Sequence, residues 1–162
     1  MLRAKIVADT QQADECTFLT TSTQNREGKT FTAINLAITF AREVDHTVLL
    51  IDSNVKNPSV LNYLGIDEQP GLLDCLHGNI PLSDLLICPG IERLLLLPLS
   101  RRSIESEGLL RSRKMRAMLH EMKSRRKDLY IIIDGPALSD GDDAIILCDC
   151  IDRPCLWLNT VL

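Results

Sequence analysis

The sequence predicts an α/β fold, a doubly wound, mostly parallel sheet flanked by helices, from three observations. Short apolar runs alternate with segments of helical spacing along the chain. Two of those runs, Val48–Asp52 and Tyr130–Asp134, end on a carboxylate. A glycine-lysine-threonine turn, Gly28-Lys29-Thr30, stands between the first run and the first helical segment. At 162 residues the chain fits one domain, 1–162, with one sizeable core.

Taken in order, five runs read as strands: Cys16–Thr21, Thr47–Asp52, Arg93–Leu97, Leu129–Asp134 and Cys155–Val161. They are apolar almost throughout, as strands covered on both faces are. After the first strand, Phe31, Ile34, Ile38 and Ala41 share one helical face. Ala33, Leu36, Ala37 and Phe40 widen it, which predicts a largely buried helix. The stretch Gly65–Pro89 is less regular, but Gly71–Gly78 reads as one or two helical turns closed by Gly78. Ser106–Lys127 sets Leu110, Met115, Met118, Leu119 and Met122 on an apolar stripe, and a last helix covers Asp142–Asp149. Strands alternating with helices give parallel neighbours joined by right-handed crossovers.

Composition narrows the function. Hydrophobic residues make up 45% and aromatics only 4%, so Leu, Ile, Val and Ala must build the core. A net charge of −4 argues against a dedicated nucleic-acid binder, and no nucleic acid is expected as partner. No apolar run approaches the roughly 18–20 residues of a membrane span. After Met1-Leu2-Arg3-Ala4-Lys5 and three apolar residues the chain turns polar (Asp9-Thr10-Gln11-Gln12), which argues against a signal peptide, so a cytoplasmic location is expected. The six cysteines (Cys16, Cys75, Cys88, Cys148, Cys150, Cys155) form no C-x-x-C pair. No histidine stands near the last three to complete a tetrahedral metal site, so buried free thiols are expected.

The segment Ser22-Thr23-Gln24-Asn25-Arg26-Glu27-Gly28-Lys29-Thr30 follows a strand and opens a helix, the setting of a phosphate-binding P-loop. Backbone N–H groups and the positive end of the helix suit phosphate oxygens there. The expected nucleotide contacts are Thr23, Gln24, Asn25, Arg26, Glu27, Gly28, Lys29, Thr30 and Phe31. Lys29 is expected at the β- and γ-phosphates and Thr30 on Mg²⁺, while Gly28 lets the backbone approach without a Cβ. Thr23 replaces the first glycine of G-x-x-x-x-G-K-[ST], and a bare Gly-Lys-Thr also reads as a helix start with a solvated lysine. The fold is therefore expected to be P-loop NTPase-like, with ATP or ADP and Mg²⁺ as cofactors.

The two strand-end acids strengthen that reading. Ligands of open parallel sheets sit at the carboxyl ends of the strands, so Asp52, Asp134 and the loop should share one crevice. Two carboxylates there can hold Mg²⁺ through its waters, and one can orient or deprotonate a nucleophile. Lys29, Asp52 and Asp134 are the catalytic candidates; Thr30, Asp52 and Asp134 are the metal candidates. Each aspartate taken alone reads more commonly as a capping or turn residue; jointly with Lys29 the functional reading is favoured.

These residues resemble the bacterial tyrosine autokinases of exopolysaccharide synthesis, in the branch associated with exosortase systems. The resemblance rests on Thr20–Thr30 continuing into Phe31–Ala37, on Asp45–Asp52, Pro58–Leu61 and Leu64-Gly65, and on Pro70–Asp74 and Asp134-x-Pro136. It spans about residues 16–160, and its wider relatives are the Min/Par-type ATPases with a deviant phosphate loop. The resemblance implies ATP·Mg²⁺ binding, homo-oligomerisation, and phosphorylation of a tyrosine-rich tail on a neighbouring subunit. It also implies a membrane polysaccharide co-polymerase whose cytoplasmic tail activates the kinase, which would place the chain at the inner face of the membrane.

The chain departs from the family pattern in several places. Asn25-Arg26 stands where the family has Pro-Gly, and Asp52-Ser53-Asn54-Val55-Lys56 where it has Asp-x-Asp-x-Arg. Asp134-Gly135-Pro136-Ala137 replaces Asp-x-Pro-Pro, and no tyrosine follows Tyr130. A further strand–helix unit of the relatives is not seen after Val161, and their Glu-x-x-Arg helix is not evident in Met1–Glu15. A fragment and a domain decaying into a pseudo-enzyme both fit these departures.

Three functions remain open: an ATP-binding autokinase or ATPase domain, a non-catalytic regulatory module, and a partition-type ATPase on a membrane or DNA surface. The third draws on charge alone. Of the 18 Lys and Arg, ten fall between 101 and 127 (Arg101, Arg102, Arg111, Arg113, Lys114, Arg116, Lys123, Arg125, Arg126, Lys127). A solvated helix face opposite the Met/Leu stripe explains the same cluster.

Overall fold

A computed structural model of the chain describes residues 16–43, 46–100, 108–126, 128–151 and 155–158. Its strands are β1 (Cys16–Ser22), β2 (Thr47–Asp52), β3 (Leu94–Leu97), β4 (Leu129–Asp134) and β5 (Cys155–Leu158). They form one sheet in the order β3-β2-β4-β1-β5, with parallel pairing throughout. Side chains alternate between the faces of a strand, so β2 sends Val48 and Leu50 to one face and Leu49 and Ile51 to the other. Helices α1 (Lys29–Glu43) and α2 (Val60–Leu64) cover the first face, where Ala33, Ala37, Phe40 and Val60 meet Phe18, Leu96 and Ile132. Helices α3 (Leu72–His77), α4 (Arg113–Arg125) and α5 (Asp143–Cys148) cover the second. There Leu76, Met115, Leu119 and Leu147 meet Leu19, Ile51, Ile131 and Ile133. Covering on both faces is why the strands read as unbroken apolar runs.

The order also locates a crevice. From β1 the chain crosses to β2 and β3, returns to β4 beside β1, and then passes to β5 on the far side. The winding reverses between β1 and β4, and the carboxyl ends of strands at such a reversal open a cleft. Among the described residues no helix is long and apolar enough to cross a membrane.

Several expectations change in detail. Strand β1 runs one residue further, to Ser22, and β3 starts at Leu94 because Arg93 is left-handed (φ 64). The stripe from Ser106 is not one helix. A 3₁₀ turn, Leu109–Arg111, precedes Ser112, whose extended backbone and hydroxyl (3.2 Å from the Met115 N–H) cap α4. Helix α2 was not expected at all. The last helix is one residue shorter at each end than Asp142–Asp149. Phe31, assigned to the buried face of α1, is 60% exposed, although Lys29 and Thr30 of the same turn are buried.

The thiols also differ from expectation. Cys148 is disulfide-bonded, Cys88 is exposed, and Cys75 and Cys150 are free but only half-buried. Spacing along a sequence does not report proximity in space, and proximity decides pairing. Met1–Glu15, Arg101, Arg102, Lys127 and residues 159–161 lie outside the described residues, as do the side chains of Cys16 and Cys155.

Candidate functional site

The carboxyl ends of β1, β2 and β4 bring the expected pieces together. In the sheet register Asp52 stands opposite Asp134, and Thr20 of β1 stands opposite Asp134 from the other side. The loop leaves β1 after Ser22 and re-enters structure as α1 at Lys29.

The loop is folded around its own polar groups. Ser22 Oγ donates to the Gln24 carbonyl at 2.6 Å, and Glu27 accepts from Thr23 Oγ1 and the Gln24 N–H, each at 3.0 Å. The backbone N–H of Gln24, more than any other contact, holds the Glu27 carboxyl below its ordinary range. Gly28 has φ 86 and a Cβ there would meet nothing within 4 Å, so backbone conformation, not crowding, calls for glycine. Arg26 has φ 66. The left-handed backbone that the resembling family gives to glycine is here adopted by an arginine with an exposed side chain.

Lys29 is buried, and its Nζ donates to the Gln24 carbonyl at 3.4 Å, so the amine lies across the loop. Thr30 Oγ1 donates to Asp134 Oδ2 at 2.7 Å and lies 3.1 Å from Ser59 Oγ. Asp134 is fully buried, with Thr20 Oγ1 at 3.5 Å from its other oxygen. Asp52 accepts three backbone N–H bonds at 3.1 Å: Asn54 on one oxygen, Ser59 and Val60 on the other. Asp52 therefore caps α2, the capping role its position in the sequence allowed, from the strand end that stands opposite Asp134.

Burial dominates the electrostatics. It raises Asp52 to about 6 against the pull of its three N–H donors. It raises Asp134 to about 7, the neighbouring Asp52 adding to the effect while Thr30 and Lys29 oppose it. Such a pair of carboxylates favours a cation between or beside them. Among the described residues no group of three or more His, Cys, Asp or Glu is placed to hold a metal. Two carboxylates and a hydroxyl are a sparse set, and that suits Mg²⁺, which keeps most of its waters and takes phosphate oxygens. A buried lysine beside an open backbone turn suits the phosphates themselves.

Sequence reasoning missed the supporting residues. Asn25 Nδ2 donates to Asp140 Oδ1 at 2.7 Å, Lys56 Nζ donates to the Asp140 carbonyl, and the Ser139 N–H donates to the Thr23 carbonyl at 3.0 Å. These bonds tie the phosphate loop and the segment after β2 to the turn after β4. Ser59 and Thr20 carry no signal beyond being polar residues near strand or helix ends. Asn54 is buried, and its Oδ1 accepts the Asn57 N–H at 3.3 Å, within the turn that follows Asp52. Phe31, exposed on α1, stands apart from the loop contacts.

No protein-family model matches the chain. The chain is 34% identical over 141 residues to the tyrosine-protein kinase CpsD of Streptococcus pneumoniae serotype 4, covering 86% of this chain and 61% of that protein. It thus spans about three fifths of that relative's length. Among solved structures, the kinase domain of VpsO superposes with a TM-score of 0.84 at 26% identity, covering 95% of this chain and 74% of that one. The septum site-determining protein MinD of Pyrococcus horikoshii OT3, complexed with Mg-ADP, shares the fold at a TM-score of 0.67 and 21% identity, over 90% of this chain and 58% of that one. Over most of its length, then, the chain is similar to bacterial tyrosine-protein kinases and shares the fold of their kinase domains and of Min-type ATPases.

Proposed function

We propose that the chain is the ATP- and Mg²⁺-binding domain of a tyrosine autokinase of exopolysaccharide synthesis, with weakened catalysis. The observation that supports it is the convergence of Lys29, Thr30 and Asp134 at the mouth of one left-handed loop, with Thr30 on Asp134 at 2.7 Å. Bound ATP·Mg²⁺ supplies the transferable phosphoryl group and neutralises its charge. The chain's own part is positioning and electrostatics. The backbone of 23–28 donates N–H groups, Lys29 places a positive charge from a buried position, and Thr30 and Asp134 orient the cation's side of the site. Asp52, raised to about 6, is ionised at neutral pH and able to accept a proton.

Asn54 is the weak point. Its amide serves the local turn and carries no charge, in the second acidic motif where the family repeats a carboxylate. The natural partners on this reading are further copies of the chain and the cytoplasmic tail of a membrane polysaccharide co-polymerase, at the inner face of the membrane.

Titration calorimetry with ATP and ADP, with and without Mg²⁺, tests the nucleotide site; absence of binding in every combination overturns it. Phosphotransfer to a tyrosine-rich peptide, in the natural chain and in Asn54→Asp, tests the weakened catalysis. A missing general base lowers rates about 10²–10⁴-fold. A natural chain that phosphorylates the peptide at a rate Asn54→Asp does not raise refutes that part.

A further inference from the structure

On the sheet face away from the phosphate loop, α4 and α3 stand apart over a cavity of about 690 Å³. Its floor is Leu49 and Leu129, and its walls are Leu76, Leu82, Leu86 and Leu95 on one side and Met118 and Met122 on the other. The volume falls within the range of pockets that hold small organic ligands. The polar groups sit at the edge. Arg125 is paired with Glu121 and Arg126 with Asp128. Lys114 lines the same edge, exposed, with its Nζ 4.0 Å from where a Cβ on Gly78 would lie. Among the described residues it has no acidic partner. Helix α4 carries five basic residues and one acidic residue, in a chain of net charge −4. Of the charged side chains that line the cavity, Lys114, Arg125 and Arg126 are basic and Glu121 acidic, so its mouth is locally cationic on an anionic molecule.

We infer that this cavity is a second ligand site, for a single-chain anionic amphiphile whose alkyl chain lies between α3 and α4 and whose carboxylate or phosphate head meets Lys114. The cationic rim selects an anionic head, and the volume and apolar lining select an alkyl tail. A freely diffusing amphiphile fits better than a lipid in a bilayer. Insertion into a bilayer needs apolar side chains projecting from the rim, yet the large exposed hydrophobic residues among those described, Phe31, Tyr63 and Ile145, do not line this cavity. The site stands independently of the nucleotide reading, because no residue of the loop takes part in it.

Cys75 lines the cavity and is a built-in reporter, with the exposed Cys88 as its control. Burial, and then the charge of Glu121, raise the Cys75 thiol above its ordinary range, so alkylation is followed at alkaline pH. Decanoate and decyl phosphate are expected to slow alkylation of Cys75 about tenfold at saturation and to leave Cys88 unchanged, whereas decyltrimethylammonium protects neither. Lys114→Glu should weaken decanoate binding about tenfold, the loss of one charge-assisted contact. Ala117→Trp, at the cavity wall, should remove protection; should that variant fail to fold, Lys114→Glu on the exposed rim carries the test. The inference is overturned if Cys75 and Cys88 respond alike, if the cationic amphiphile protects as well as decanoate, or if Lys114→Glu binds decanoate normally. It is equally overturned if Cys75 is inert before any amphiphile is added, or if only anionic phospholipid vesicles protect it.

Discussion

The Thr30 hydroxyl donates to Asp134 Oδ2 at 2.7 Å, joining the first turn of α1 to the last residue of β4 across 104 positions of sequence. Thr30→Ala leaves a fully buried carboxyl without its short bond, and unfolding free energy should fall by about 1–3 kcal/mol. Thr30→Ser keeps the hydroxyl and should lose less than half of that. Urea denaturation of the two variants measures the difference. Calorimetry should also show that Thr30→Ala no longer gains nucleotide affinity from Mg²⁺.

On the proposed function, Lys29 is expected to serve ligand binding more than the fold, since the hydrogen bond its amine makes to the Gln24 carbonyl is long, 3.4 Å. Nucleotide at about 100 times its dissociation constant should stabilise the natural chain by roughly 2.7 kcal/mol. Lys29→Ala should abolish that thermal shift and leave the melting temperature without nucleotide nearly unchanged.

Arg26 at φ 66 opposes two backbone effects. A left-handed backbone costs a non-glycine residue about 1–2 kcal/mol, and replacing it with glycine returns roughly 0.5–1 kcal/mol of disorder to the unfolded chain. Arg26→Gly should therefore stabilise the fold by about 0.5–1 kcal/mol, read from urea midpoints. Its effect on ATP affinity distinguishes two roles. Tighter binding means the guanidinium obstructs the loop, and weaker binding means it contacts phosphate.

Acid titration supplies a further test. Asp52 and Asp134 rise on folding from 3.8 to about 6 and about 7, so the folded chain keeps protons that the unfolded chain has released. Their contribution to stability is full below about pH 4, is lost as pH rises through 6 and 7, and is flat above. Glu27 and Asp128 are shifted the other way and titrate below that window. Between pH 5 and 8, then, stability of the ligand-free chain should decline with pH. Asp134→Asn should flatten the decline and raise stability at pH 8 by roughly 1–3 kcal/mol. A natural chain whose urea midpoint rises across this window contradicts the assignment.

Much of the architecture was readable because its causes are local. Thr47–Asp52 and Leu129–Asp134 appear as strands with the expected bounds, since continuous burial on two faces leaves a continuous apolar run. Gly78 closes α3 at φ 82, as a helix-ending glycine should. What escaped the sequence depends on distant partners. Helix α2 is five residues long and has no side-chain cap of its own; its cap is Asp52, reached from β2. The Asn25–Asp140 bond joins residues 115 apart, and no periodicity announces it. Arg93 stands at the head of an apolar run, and only its backbone angle excludes it from β3. At the site, Lys29, Thr30, Asp52 and Asp134 were legible by type and position, while Ser59, Thr20 and Asp140 became visible only in space.

The place of β1 in the sheet governs when the crevice comes into being. Strand β1 is made first, yet its neighbours are β4 and β5, while β2 and β3 pair with each other at close range. A nascent chain can assemble the β2–β3 edge early, but its phosphate loop has no sheet to stand on until Leu129–Asp134 has been synthesised. Contacts of such long sequence separation form late and slow the folding of parallel sheets. On the proposed function, nucleotide would therefore meet a finished molecule. It should act as a brake on unfolding and leave the rate of refolding untouched.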